Sequence, residues 1–142
     1  MNRKLLSIGL LASLTLLPQW ASAERMIAEY QGSGNRTTQE FVVNGPWILD
    51  WRINSDYNNM VSFDLDLVDG PTGVLEGNIL MAKGLGDGLR RNGVRLFNTS
   101  GRYRFRINAS LIRWHLKVKE LTEEEAKQYT PIERKGGFDL FN

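Results

Sequence analysis

Four segments of this chain alternate apolar and polar residues with a period of two, and no other feature constrains the fold as strongly. The segments cover residues 47–53, 61–67, 102–107 and 112–119. Because successive side chains of a β-strand point to opposite faces, each segment would bury one face and expose the other. Their β-branched and aromatic residues also favour strands. The pattern therefore predicts β-sheets with one buried face.

Weaker strand signals and turn-rich connectors fill the rest of the chain. The shorter strands are predicted at residues 25–30, 37–43, 75–82 and 94–97. The connectors contain the turn-forming stretches GSGN (32–35), DGPTG (69–73) and GLGDG (84–88). Many short strands joined by such turns, with no helical period between them, indicate an all-β fold. We expect an antiparallel β-sandwich of jelly-roll type, with a closed barrel as the alternative.

The segment after the last strand differs in pattern. Thr122 and Glu125 have the spacing of a capping box, which predicts a short helix over residues 123–129. The chain then ends in an apolar tail that is unusual for an exported protein. We expect this tail to dock back on the domain as a strand or plug; the alternative is strand addition to a partner. Its apolar residues are Phe138, Leu140 and Phe141.

The first 23 residues have the features of a cleaved secretory signal. Arg3 and Lys4 precede an apolar run over residues 5–17, and the small residues 21–23 form a cleavage site. The run is too short for a stable membrane anchor, and no cysteine follows that could carry a lipid. These features predict a periplasmic or extracellular protein with no membrane span. Its β-sandwich domain would cover residues 24–121 and its helix and tail residues 122–142.

The charge balance limits the classes of partner that the protein could bind. The chain has 18 Lys and Arg against 16 Asp and Glu residues, and two of the cations, Arg3 and Lys4, lie in the predicted signal. The remainder therefore carries equal numbers of each sign, which argues against nucleic acid as a partner. The absence of cysteine means that packing and sheet hydrogen bonds stabilise the fold without disulfides.

The order of motifs resembles that of small bacterial secreted or lipoprotein β-sandwich domains of unknown function. That pattern runs from a Gly-rich turn, a Thr and Phe-x-Val through a Trp-containing strand to G-x-Y-x-L-x-I and W-x-I-x-V. The resemblance covers about residues 30–120. It implies a jelly-roll-like sandwich that lies in the envelope or is secreted, and it carries over no catalytic residue. The matching positions are Gly32, Gly34, Thr38, Phe41, Val43, Trp47, Trp51, Phe63, Leu65, Gly101, Tyr103, Phe105, Ile107, Trp114, Leu116 and Val118.

The side chains that could perform catalysis are few. His115 is the only histidine, and we interpret it as a solvated strand residue. Asp64 and Asp66 share one strand face, and Asp69 follows closely. Paired carboxylates could hydrolyse a glycosidic bond, or the three could hold calcium through oxygen ligands. The plainer interpretation is a solvated face that pairs with arginines on a neighbouring strand.

An arginine stripe is the most unusual surface feature of the sequence. Arg102, Arg104 and Arg106 share one strand face, and Arg90 and Arg91 lie in a loop that is nearby in sequence. Such a face could bind an anionic envelope polymer or an acidic protein. The alternative is a strand that its charges keep soluble.

Two tryptophans in NGPWILDWRIN favour a core over a binding platform. Trp47 and Trp51 share a strand face with Leu49 and Ile53, so their rings would be buried.

From all of these features together we predict a non-catalytic binding or accessory protein that recognises an envelope protein or glycan and needs no cofactor. The alternatives are a glycan hydrolase and a calcium-stabilised structural module.

Overall fold

The computed structural model describes residues 24–57, 60–83 and 91–130. Four predictions lie outside these ranges: the signal over residues 1–23, the turn at 84–88, the loop residue Arg90 and the apolar tail. Within the described ranges the chain forms nine strands and one helix. They are β1 Arg25–Ser33, β2 Arg36–Thr37, β3 Phe41–Val43, β4 Trp47–Asn54, β5 Ser62–Asp69, β6 Leu75–Lys83, β7 Asn92–Phe97, β8 Gly101–Ser110, β9 Arg113–Glu120 and α1 Glu123–Tyr129.

The strands form two antiparallel sheets. Sheet A has the order β1-β9-β4-β7. Sheet B has the order β2-β8-β5-β6, and β3 also pairs with β8. If β2 and β3 are counted as one interrupted strand, this is the eight-strand order of a jelly roll, in which neighbours along the chain lie in alternate sheets except for the β5–β6 hairpin. The predicted all-β sandwich with a short C-terminal helix is thus confirmed.

The two inner faces form one apolar core. Trp47 and Leu49 of β4 are fully buried, and Trp51 is 5% exposed, so the tryptophans are core residues as predicted. The Trp47 ring stacks on Phe97, with 4.1 Å between centroids, and meets Phe41 edge-on at 5.5 Å. Sheet B contributes the inward residues of β5 and β8, which are Phe63, Leu65, Leu67, Tyr103, Phe105 and Ile107.

The predicted strand over residues 37–43 was wrong in one respect, because the structure breaks it in two. Thr37 lies opposite Arg106 and Phe41 opposite Tyr103, so three residues on this side span the length of two on β8. Thr38 fills the gap: its N–H donates to the Phe105 carbonyl, and its hydroxyl accepts from the Phe105 N–H, both at 2.9 Å. At this position the Thr38 hydroxyl takes the place of a backbone carbonyl as the acceptor of the hydrogen bond.

One flank of the sandwich is closed by an arginine. Arg95 of β7 lies opposite the buried Leu49 and places its guanidinium 5.2 Å from the centroid of the Phe97 ring. Its Nη1 donates to the carbonyls of Asn78 and Ile79 in β6, each at 3.2 Å. Two consecutive carbonyls face the same way because Ile79 is an extra residue in the pairing of β6 with β5.

Helix α1 covers one end of the outer face of sheet A. The capping box is present as predicted: the Thr122 hydroxyl accepts from the Glu125 N–H, and the Glu125 carboxylate accepts from the Thr122 N–H. Ala126 and Leu121 pack on Ile48, the one apolar residue on the outward side of β4. The helix therefore covers one end of this face and leaves the opposite end open to solvent.

The N-terminal end of β1 is joined to this helix by one carboxylate. Glu24 accepts hydrogen bonds from Lys119, at 2.8 Å, and from the Tyr129 hydroxyl. The bond from Lys119, followed by that from Tyr129, lowers the pKa of Glu24. The bond to Glu24, together with burial and the negative charges nearby, raises the pKa of Tyr129 to about 12.

The raised pKa of Tyr129 predicts a stability difference that depends on alkaline pH. An unfolded tyrosine ionises near pH 10, so the folded state prefers the neutral phenol, and this stabilisation is complete below about pH 10. It is lost as pH rises toward 12. We expect Tyr129→Phe to be less stable than the wild type below pH 10, with the difference narrowing above it. Chemical unfolding at several pH values measures this; a constant difference would contradict the assignment.

Candidate functional site

The three arginines of β8 lie on the outer face of sheet B, but two of them form ion pairs within the protein. Arg102 donates from Nε and Nη2 to Glu40 Oε1, at 2.7 and 2.5 Å. Arg106 donates to Asp66 Oδ2 from Nη2 at 2.8 Å. Arg104 is exposed and forms no hydrogen bond or ion pair with any residue that the structure describes. The stripe thus offers one arginine that is not engaged.

The two carboxylates of β5 are tied together by an amide. Asn78 Nδ2 donates to Asp64 Oδ1 at 2.6 Å and to Asp66 Oδ1 at 2.9 Å. Burial raises the pKa of Asp66, but hydrogen bonds from Arg106 and Asn78 and the Arg106 charge outweigh it, so the pKa lies below its usual range. A glycosidase needs an acid with a raised pKa. The arrangement favours cross-strand stabilisation for this pair.

Asp69 does not join the other two carboxylates. It accepts from the Thr72 hydroxyl at 2.5 Å and from the Thr72 N–H at 2.8 Å, which lowers its pKa and closes the turn between β5 and β6. The described ranges contain no group of three or more His, Asp or Glu side chains placed to hold a metal ion. Calcium binding therefore stays a prediction, and the described residues offer no preformed cluster of ligands for it.

Arg91 lies apart from the arginines of β8. Its carbonyl accepts from the Ile53 N–H at 2.7 Å, which places it beside β4 in sheet A. Arg91 and the stripe, close in sequence, therefore lie on different sheets. Arg90 lies outside the described residues.

The open end of the outer face of sheet A carries a groove formed by three strands. β1, β9 and β4 lie side by side there, and their register aligns Gln31, His115 and Arg52 in one row and Ser33, Arg113 and Asn54 in the next. A groove of about 470 Å³ runs over these rows. We call it the sheet A groove; it is lined by Gln31, Gly32, Ser33, Arg52, Ile53, Asn54, Arg113, Trp114 and His115.

The exposed lining of the sheet A groove is mostly apolar, and its polar groups are cationic and amidic. It includes two arginines and a histidine, and the described lining contains no carboxylate. The acids that balance these cations stand outside it: Glu29 contacts His115 Nε2 at 2.5 Å, and Asp56 binds Arg113. Arg52 is the least engaged, since its Nε lies 3.9 Å from Asp50 and 69% of its side chain is exposed. Among its cations, Arg52 is therefore the one that stays available to an anion, together with the side-chain amides of Gln31 and Asn54.

A second hollow adjoins the sheet A groove at the end of the sandwich. It has a volume of about 400 Å³ and shares Ser33, Asn54 and Arg113 with the groove. We call it the loop recess; its other lining residues are Gly34, Ser55, Asp56, Tyr57, Leu111 and Ile112.

Two contacts fix the loops around the recess. Arg113 donates to both Asp56 oxygens, at 2.9 and 3.0 Å, and this pairing lowers the pKa of Asp56. The Ser55 hydroxyl donates to the Leu111 carbonyl at 2.5 Å and accepts from the Tyr57 N–H at 3.1 Å. The recess is thus organised before any ligand arrives.

Sequence reasoning missed most of this surface. It placed Arg52 and His115 on polar strand faces but gave them no common site, and it did not single out Gln31, Asn54 or Tyr57. The alternation at residues 47–53 and 112–119 was a usable signal, because it marks two polar faces. The missing information was that β9 lies between β1 and β4, since strand order is set by long-range pairing.

No protein-family model, curated protein or solved structure matches the chain. The resemblance to secreted sandwich domains therefore remains a prediction. Within the ranges that the structure describes, no helix has the length and apolarity needed to cross a membrane.

Proposed function

We propose that this protein is a non-catalytic binding protein of the periplasm or cell exterior that recognises an anionic envelope glycan through the sheet A groove. One observation carries the proposal: two arginines, a histidine and two side-chain amides line an open groove whose described lining has no carboxylate. Arginine forks match carboxylates, and amides bond sugar hydroxyls, so the combination suits a uronic-acid polymer.

The groove supports the proposal better than the β8 arginines do. On β8, Arg102 and Arg106 are held in ion pairs that a ligand would have to break, and Arg113 of the groove is held in the same way by Asp56. Arg52 has only a 3.9 Å contact with Asp50, which is long for an ion pair and costs little to replace. The groove is open and shallow, and it adds two side-chain amides that can bond sugar hydroxyls.

Arg52→Ala is expected to weaken binding to polygalacturonate about tenfold. A charge-assisted hydrogen bond is worth roughly 1.5–3 kcal/mol, and the long-range attraction from the other cations of the groove is kept, so we expect a loss at the lower end of this range. Arg104→Ala is the matched control, since it removes an exposed arginine from the far sheet. We expect less than about a twofold change for the control, since a rim charge away from the site acts only at long range. Calorimetric titration at low salt measures both.

Two further polymers decide the ligand class. Neutral dextran should bind far more weakly than polygalacturonate because it has no carboxylate for Arg52. Poly-L-glutamate should also bind more weakly because it lacks sugar hydroxyls for Gln31 and Asn54. Equal binding of poly-L-glutamate would replace the glycan with an acidic polypeptide as the ligand. A larger loss for Arg104→Ala than for Arg52→Ala would move the binding surface to the arginine stripe.

A further inference from the structure

The loop recess combines exposed apolar side chains with fixed polar groups. Tyr57 is 55% exposed and Leu111 46% exposed, although both border a hollow. The remaining polar lining is the Arg113–Asp56 pair with Ser33, Asn54 and Ser55. An aromatic ring beside convergent hydrogen-bonding groups suits a ligand that is apolar on one face and polar at its rim.

Leu111 keeps an unusual backbone conformation at this site. Its φ is +58°, in the left-handed region that is unfavourable for a residue with a side chain. The Ser55 hydroxyl holds the Leu111 carbonyl in this geometry and also binds the Tyr57 backbone. One serine therefore ties together the backbone of both residues that carry the apolar side chains of the recess.

We propose that the loop recess is a saccharide subsite in which the Tyr57 ring stacks on the C–H face of a pyranose. The Arg113–Asp56 pair, Asn54 and Ser33 would bond the hydroxyls at the rim of the sugar. The inference rests on the proposed function, because the shared residues make the recess continuous with the sheet A groove. One glycan chain would then place a ring on Tyr57 and a neighbouring carboxylate over Arg52.

The test uses the full chain with two probes of equal length, a galacturonate tetrasaccharide and its fully methyl-esterified, uncharged form. Tyr57→Ala is expected to weaken binding of both probes by about three- to tenfold. Tyr57→Phe keeps the ring and should bind like the wild type. Val42→Ala removes an exposed apolar side chain from sheet B and should change nothing. Unfolding midpoints within about 2 °C of the wild type confirm intact folding.

The outcomes separate this inference from the proposed function. If the charged probe binds and Arg52→Ala weakens it while Tyr57→Ala does not, the saccharide subsite is refuted and the charged groove stands. If the esterified probe binds as tightly as the charged one and depends on Tyr57 alone, the subsite stands and anionic recognition fails. No binding of either probe at millimolar concentration refutes both.

Discussion

Trp47→Ala is expected to destabilise the protein by about 3–5 kcal/mol, the usual cost of truncating a buried aromatic residue. Trp47 is fully buried and contacts aromatic rings of three strands, including Phe97 at 4.1 Å and Phe41 at 5.5 Å. The change removes these contacts and leaves a cavity between the sheets. Because small domains are stable by only about 5–15 kcal/mol, a large part of the total would be lost. Urea unfolding followed by circular dichroism measures the difference.

Two variants serve as controls for Trp47→Ala. Trp47→Phe keeps a ring against Phe97 and removes an indole N–H that has no hydrogen-bond partner among the described residues, so its cost should be smaller. Val94→Ala truncates a residue of β7 that is 51% exposed and should change stability by less than about 0.5 kcal/mol. Equal losses for Trp47→Ala and Val94→Ala would show that the Trp47 contacts do not stabilise the sandwich.

Thr38→Val is expected to cost about 1–3 kcal/mol, although valine has nearly the same shape as threonine. The hydroxyl of Thr38, a residue 5% exposed, accepts the Phe105 N–H at 2.9 Å. Valine would leave that N–H buried without a partner, and the penalty of an unsatisfied donor exceeds the value of the lost bond. Equilibrium unfolding gives the free-energy change, and hydrogen exchange of the Phe105 amide gives its local origin.

Thr38→Ser tests the cause of this loss. Serine retains the acceptor and removes one methyl group, so we expect a loss of about 1 kcal/mol at most and a protected Phe105 amide. If serine destabilised the protein as much as valine, the methyl contact rather than the hydroxyl would account for the role of Thr38.

The local pattern was sufficient to predict the fold class. Alternation at residues 47–53 identified β4 and its buried side, and the spacing of Thr122 and Glu125 identified α1 with its cap, because both features depend on neighbours along the chain. The break at Thr38 was not predictable, since it arises from a one-residue mismatch with β8. Alternation along one strand carries no information about an extra residue, because that residue is defined only by the pairing with the partner strand.

The groove escaped prediction for a similar reason. A polar strand face looks the same in sequence whether it meets bulk solvent or lines a groove, and Gln31 gains its meaning only from lying opposite His115. Gly93 is another such case: a Cβ there would lie 2.5 Å from Trp51 Cζ2, so the position has no room for a side chain. Both facts belong to pairings between segments that are distant in sequence.

Arg95 also affects how copies of this protein meet. β6 ends its sheet, and the outward carbonyls of such an edge strand attract the backbone of other chains, which is a route to aggregation. The carbonyls of Asn78 and Ile79 already receive the Arg95 guanidinium. A foreign strand would have to displace a cation before pairing with β6 at these positions. The arginine that closes the flank of the sandwich therefore also disfavours self-association through the β6 edge.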